Sequence, residues 1–230
     1  MALDPSARAK EVRIDPPGLF AFLGAPPGAK GVVLFAHGSG SGRTSPRNNF
    51  VAEHLRRAGV ATLLLDLLTP AEEADRRNVF DIELLAARLE MATDWIEHRR
   101  EIQGLPIGYF GASTGAGAAL LAASGRTDIA AVVSRGGRPD LAGDALAHVN
   151  APTLLIVGGL DAPVIELNRQ ARARLRVDSD LVIVEGAGHL FEEGDTLDEV
   201  IRHARNWFLA HFSGAAGREV RHERPPAALR

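Results

Sequence analysis

Apolar and polar positions along the chain fall into short blocks with two periods. Val12 and Ile14, and then residues 19–23, alternate as short strands around Pro16-Pro17-Gly18, which predicts an antiparallel hairpin at a sheet edge. Residues 31–36 form a continuous apolar run, the pattern of a strand covered on both faces. Similar runs recur at residues 61–65, 107–110, 130–134, 153–157 and 181–184. Between them the spacing turns helical. Phe50, Val51, His54 and Leu55 share a face in residues 50–58, and Ile82, Leu85, Leu89 and Ala92 or Trp95 share one in residues 81–98. Helices are also predicted over residues 115–124, after the loop at 135–140 to about Val149, and over 163–175 and 197–212. The one long polar connection in the first half, residues 67–78, is the candidate partial lid.

Strands alternating with helices after a hairpin predict an α/β fold, a mainly parallel twisted sheet with helices on both faces. In such sheets ligands bind at the carboxyl ends of the strands. Four polar features sit there: the run from His37 to Gly42, Ser113, Asp161 and His189.

Composition narrows the classes. At 230 residues the chain fits one domain. It spans residues 11–212, between a flexible start at 1–10 and a tail at 213–230 whose Gly, Ala, Arg and Pro content predicts disorder. A net charge of −3, with no basic stripe interleaved with aromatics, argues against nucleic-acid partners. No apolar run reaches membrane length and the first residues lack a signal-peptide core, so a cytoplasmic protein without a membrane partner is expected. The pattern specifies no oligomeric state. Cysteine is absent, which excludes disulfides and thiolate nucleophiles. The glycine-rich run lacks the Lys-Ser/Thr of a phosphate loop, and the histidines are scattered, so neither a cofactor nor a metal is expected.

Gly111-Ala112-Ser113-Thr114-Gly115 is a G-x-S-x-G placed between a predicted strand and a predicted helix. That is the context of a nucleophile elbow. A serine hydroxyl needs a base, and the base needs a carboxylate to fix its tautomer. Ser113, Asp161 and His189 follow different strands in the order Ser, Asp, His, and form the candidate catalytic set. For Asp161 the competing role is to cap the helix that Pro163 begins. Asp66, Asp140 and Glu185 are less well placed acids. The backbone N–H groups of Ser39 and Thr114 are the candidate oxyanion donors. His37 reads as a structural residue that ties down its loop. Of the loop arginines, Arg43 and Arg135 are candidate substrate contacts, together with Leu190 beside the histidine. Arg43, Arg47, Arg135 and Arg138 compete for another use, salt bridges to Asp66, Asp140 or Glu192.

Four motifs, at residues 33–40, 108–115, 155–161 and 186–191, together resemble the α/β-hydrolase superfamily. Within it the chain is similar to the small dienelactone-hydrolase-related proteins, over residues 32–212. The resemblance implies a sheet of about eight strands and hydrolysis of a small-molecule ester or lactone through an acyl-enzyme. Dienelactone hydrolases proper use cysteine where this chain has Ser113, which separates it from the dienelactone substrate. There is no room for a large cap domain between the elbow and Asp161. A thioesterase or an acyltransferase would use the same residues, and a non-catalytic small-molecule receptor or interaction module on the same fold is the alternative outside enzymes.

Overall fold

The computed structural model describes residues 8–219. Its centre is an eight-stranded sheet in the order β1-β2-β4-β3-β5-β6-β7-β8. The strands are β1 (Lys10–Ile14), β2 (Leu19–Gly24), β3 (Val32–Ala36), β4 (Ala61–Leu65), β5 (Ile107–Ala112), β6 (Ile129–Arg135), β7 (Thr153–Gly158) and β8 (Ser179–Val184). The first two pair antiparallel, β2 runs antiparallel to β4, and all other pairs are parallel. Every residue of β3, β4, β5 and β7 is buried, as their continuous apolar runs require.

Helices cover both faces. On one lie α1 (Pro46–Arg57) and α7 (Thr196–Glu219), whose Val51, Leu55, Val200, Ala204, Phe208 and Phe212 join the core under β3 and β5. Glycines make room for this packing. A Cβ on Gly31 would lie 2.2 Å from the Phe212 ring, and one on Gly108 would lie 2.6 Å from the Phe208 ring. On the other face lie α4 (Ile82–Ile96), α5 (Thr114–Ser124), a 3-10 segment (Pro139–His148) and α6 (Ala162–Arg174). Among the described residues no cap domain interrupts this arrangement.

Several boundaries differ from the sequence reading. Helix α1 begins at Pro46, not Phe50, because Ser45 caps it and proline suits the first helical position. The connection at 67–78 holds two short helices, α2 (Pro70–Glu73) and α3 (Arg76–Val79). Thr69 and Glu72 bond each other's backbone in a capping box, and Glu72 pairs with Arg88 of α4, so this segment is fastened to the body. The backbone of α7 continues past Phe212 to Glu219. The remaining tail and the first residues of the N-terminus lie outside the described residues.

Candidate active site

Ser113 stands between β5 and α5 with φ 51° and ψ −124°, one of two non-glycine residues at positive φ among those described. Such a conformation is strained and persists only where the surroundings enforce it. Here they do. A Cβ on Gly111 would sit 2.4 Å from Ala116 Cα, and one on Gly115 would sit 2.2 Å from the Ala36 carbonyl oxygen. Both flanking positions therefore exclude any side chain, and Ser113 is held where strand turns into helix. Its side chain makes no capping bond to α5. The N–H groups that open α5 have no partner within their own helix and carry the positive end of its dipole.

Asp161 and His189 come together from the ends of β7 and β8. The loops are tied by Gly159 N–H to Val184 O at 2.8 Å and Leu160 N–H to Ala187 O at 2.9 Å. Asp161 occupies the N-cap position of α6, yet its side chain makes no capping bond. Instead its Oδ2 accepts from His189 Nδ1 at 2.7 Å. A cap contributes about 1 kcal/mol, and a hydrogen bond with a charged partner about 1.5–3 kcal/mol. The carboxylate has taken the stronger use. With Nδ1–H donated to Asp161, His189 keeps Nε2 as its acceptor. The Asp161 side chain is 15% exposed and the His189 ring 41%, so the carboxylate is covered and the imidazole faces the opening. The ring backs onto Gly136, where a Cβ would lie 3.8 Å from His189 Cε1. Gly136 in turn follows Arg135, whose carbonyl receives the Ser113 N–H at 3.4 Å. Serine and histidine thus border two adjacent residues, Arg135 and Gly136.

The glycine-rich loop after β3 closes the other side. A Cβ on Gly38 would lie 2.9 Å from Ser113 Cβ. The Ser39 N–H, expected to be open to an oxyanion, instead donates to Thr114 Oγ1 at 3.0 Å. The loop lies against the first turn of α5 there, which brings the threonine hydroxyl within reach. His37 uses both ring nitrogens, with Nδ1 on the Gly38 carbonyl at 2.9 Å and Nε2 accepting the Leu67 N–H at 3.1 Å. It is structural, as its position implied. Burial lowers its pKa against the opposing pull of the Gly38 carbonyl. A folded pKa below the unfolded value means the unfolded chain binds the proton more readily. Stability should therefore fall as pH drops below about 6.5. Urea midpoints at pH 8 and pH 5.5 will show this, and the difference will shrink in His37→Gln.

A cavity of about 590 Å³ opens beside this loop, lined by Ser39, Gly40, Asp66, Leu68, Val79 and Leu85 among others. Its size suits a small molecule. Arg43 lines it with its charge already partnered. Its guanidinium pairs with Asp66 and with Glu11 at 3.0 Å, and lies over the rings of Phe20 and Phe22. Arg47 pairs with Glu192 and Arg138 with Asp140. Leu190, beside His189, is 43% exposed. Two contributors had not been singled out in the sequence. Glu193 accepts the Gly188 N–H at 2.9 Å and so braces the histidine loop, and these backbone bonds hold its carboxyl below the usual range. Asn48 lies buried against Arg135. Among the described residues no group of three or more His, Cys, Asp or Glu could hold a metal ion, and no helix is long and apolar enough to cross a membrane.

Comparison with known proteins decides the family. The sequence pattern of the dienelactone hydrolase family matches residues 19–208. The chain belongs to that family. A dienelactone hydrolase from Anabaena variabilis ATCC 29413 is 54% identical, with a TM-score of 0.84 over 89% of this chain and 99% of that one. Est1E from Butyrivibrio proteoclasticus, solved with ferulic acid bound, has a TM-score of 0.74 at 18% identity, over 88% of this chain and 99% of its own. That likeness carries the fold alone. A Mycobacterium tuberculosis protein described as a "putative phosphoribosyl transferase" is 56% identical over 216 residues, 93% of this chain and 49% of that protein. The chain therefore spans about half the length of that relative. Membership of the dienelactone hydrolase family, with a dienelactone hydrolase structure at 54% identity, supports a hydrolase role.

Proposed function

We propose that this dienelactone hydrolase family member is a serine hydrolase that cleaves a carboxylic ester or lactone of a small molecule through an acyl-enzyme. The observation that carries the reading is the 2.7 Å bond from His189 Nδ1 to Asp161, made at the expense of a helix cap and beside the Ser113 elbow. Ser113 Oγ attacks the acyl carbon while His189 Nε2 takes its proton. The imidazolium then returns that proton to the departing alkoxide as the ester C–O bond breaks. Water attacks the acyl-enzyme, again losing its proton to Nε2, and the proton returns to Ser113 as the acid leaves. Asp161 holds the tautomer and stabilises the imidazolium. The Thr114 N–H points to the oxyanion, and the Ser39 N–H joins it by exchanging its bond to Thr114 Oγ1 for one to the substrate. Losing one such donor costs on the order of 3 kcal/mol of transition-state stabilisation.

The cavity beside the glycine-rich loop is the candidate substrate pocket, and the ferulic acid bound by Est1E is in keeping with a ligand of that size. A thioesterase or acyltransferase would differ only in the leaving group or acceptor. Phosphoribosyl transfer, in the name of the M. tuberculosis relative, is not assigned to this chain, which spans about half of that protein. The test is hydrolysis of p-nitrophenyl esters from acetate to octanoate by the wild type and by Ser113→Ala. Turnover by the wild type alone supports the reading. Equal rates in both proteins would overturn it.

A further inference from the structure

Sheet order puts Ser113 between two unlike surfaces. The glycine-rich loop and the cavity lie at the ends of β3 and β4, on one side of β5. Asp161 and His189 follow β7 and β8, on the other side. The cavity is lined largely by polar residues, Ser39, Ser41, Thr44, Asp66 and Glu73 among them. The histidine side is apolar where it is open. Leu160, the residue before Asp161, is 69% exposed, more than any other large apolar side chain among the described residues. Leu190, the residue after His189, is exposed too, and Ala162 and Pro163 extend the strip. Exposed leucines scattered singly are ordinary. These two flank a bonded pair, in loops that the Leu160 N–H also ties together through Ala187 O. Apart from His189, the ionisable side chains of these loops (residues 159–161 and 185–195) are all carboxylates: Asp161, Glu185, Glu192, Glu193 and Asp195. Three are already engaged, Asp161 by His189, Glu192 by Arg47, and Glu193 by the backbone N–H groups of Gly188 and Glu192. Arg135 is buried on the sheet face covered by α1 and α7, with Ala131 and Val133, so it offers no cation to this rim.

We infer that Leu160 and Leu190 form the subsite for the departing alcohol, and that the substrate is the ester of a neutral, hydrocarbon-rich alcohol. The inference rests on the hydrolase reading, whose chemistry sets the orientation. When the tetrahedral intermediate collapses, the ester C–O bond breaks and its electron pair stays on the alcohol oxygen. His189 Nε2–H gives that oxygen its proton. The alcohol oxygen therefore lies within hydrogen-bond reach of His189, and the carbon chain it carries leaves across the residues beside His189 and Asp161. The oxyanion points to the Thr114 N–H. The acyl substituent is turned from the histidine toward the side where the cavity opens. Hydrocarbon laid on exposed leucine removes apolar surface of both partners from water. An anionic alcohol would meet carboxylates and no free cation. A cationic one would find most of these carboxylates already committed.

The test separates the alcohol from the acid. One series holds the butanoate esters of ethanol, butanol and hexanol, and the other the ethyl esters of acetic, butanoic and hexanoic acids. All are compared as kcat/KM by titration of the released acid. Members of the first series share one acyl-enzyme, so their differences in kcat/KM arise while the alcohol is still attached. In the wild type kcat/KM should rise on the order of 10-fold from ethyl to hexyl butanoate. In the double variant Leu160→Ser, Leu190→Ser most of that rise should vanish, with each single variant in between. The dependence on acid length should stay as in the wild type. Both leucines are exposed, so serine there costs little stability, and each ratio is taken within one protein, so a common loss of activity cancels. An alcohol dependence unchanged by the double variant overturns the inference, as does a loss that falls on the acid series instead. Faster turnover of choline butanoate than of its neutral isostere, 3,3-dimethylbutyl butanoate, also overturns it, because the rim would then be a cation site. Turnover with no alcohol dependence removes the subsite alone. No turnover of any ester by the wild type removes the hydrolase reading and the subsite with it.

Discussion

Ser113→Ala is expected to lose at least about 10³-fold in kcat for any ester the wild type hydrolyses. The loss should be chemical. Ser113 makes no side-chain bond to α5, and alanine keeps the small volume that the elbow between Gly111 and Gly115 demands. Melting temperature and fold should therefore stay close to the wild type while turnover disappears. The size follows from the mechanism: without Oγ no acyl-enzyme forms, and what remains is whatever the oxyanion donors and substrate binding offer to direct attack by water. A variant that retained wild-type kcat would show that the elbow serves packing only.

Asp161→Asn is the sharper experiment, because it separates two uses of one side chain. Asparagine is as good a helix cap as aspartate. If Asp161 were present to cap α6, the variant would match the wild type in both stability and rate. The hydrogen bond to His189 predicts otherwise. Asparagine cannot stabilise the imidazolium, and its amide can turn an N–H toward Nδ1 and favour the wrong tautomer. The expected fall in kcat is about 10³- to 10⁴-fold, with α6 intact by circular dichroism and KM changed far less than kcat.

Most of the fold could be read from the sequence because buried parallel strands are continuous apolar runs, and β3, β4, β5 and β7 are buried from end to end. The candidate site residues were legible for a related reason. In a parallel sheet the polar groups that follow such runs converge at one edge, and Ser113, Asp161 and His189 each follow one. What stayed hidden depends on contacts between distant segments. Ser39 and Thr114 are 75 positions apart, and Asn48 and Arg135 are 87 apart, so no local pattern announces either bond. The first turn of α1, Pro-Arg-Asn-Asn, carries no apolar periodicity and is set by the Ser45 cap. That is why Asn48 was not seen as a helical residue facing the sheet. The capping box at Thr69 and Glu72 was visible as Thr-Pro-Ala-Glu, a local signal overlooked inside a polar stretch. The salt-bridge partners Asp66, Glu192 and Asp140 were named correctly, which removes Arg43, Arg47 and Arg138 from the pool of unpaired cations and leaves Arg135.

The central claim is that Ser113 is an activated nucleophile, and covalent labelling tests it without knowledge of the substrate. The folded protein is incubated with a fluorophosphonate, digested, and mapped by mass spectrometry. The account predicts one adduct per chain, on the peptide containing Ser113, and strongly slowed labelling in His189→Ala. A folded wild-type protein that takes no label, or takes it on another residue, would contradict the account.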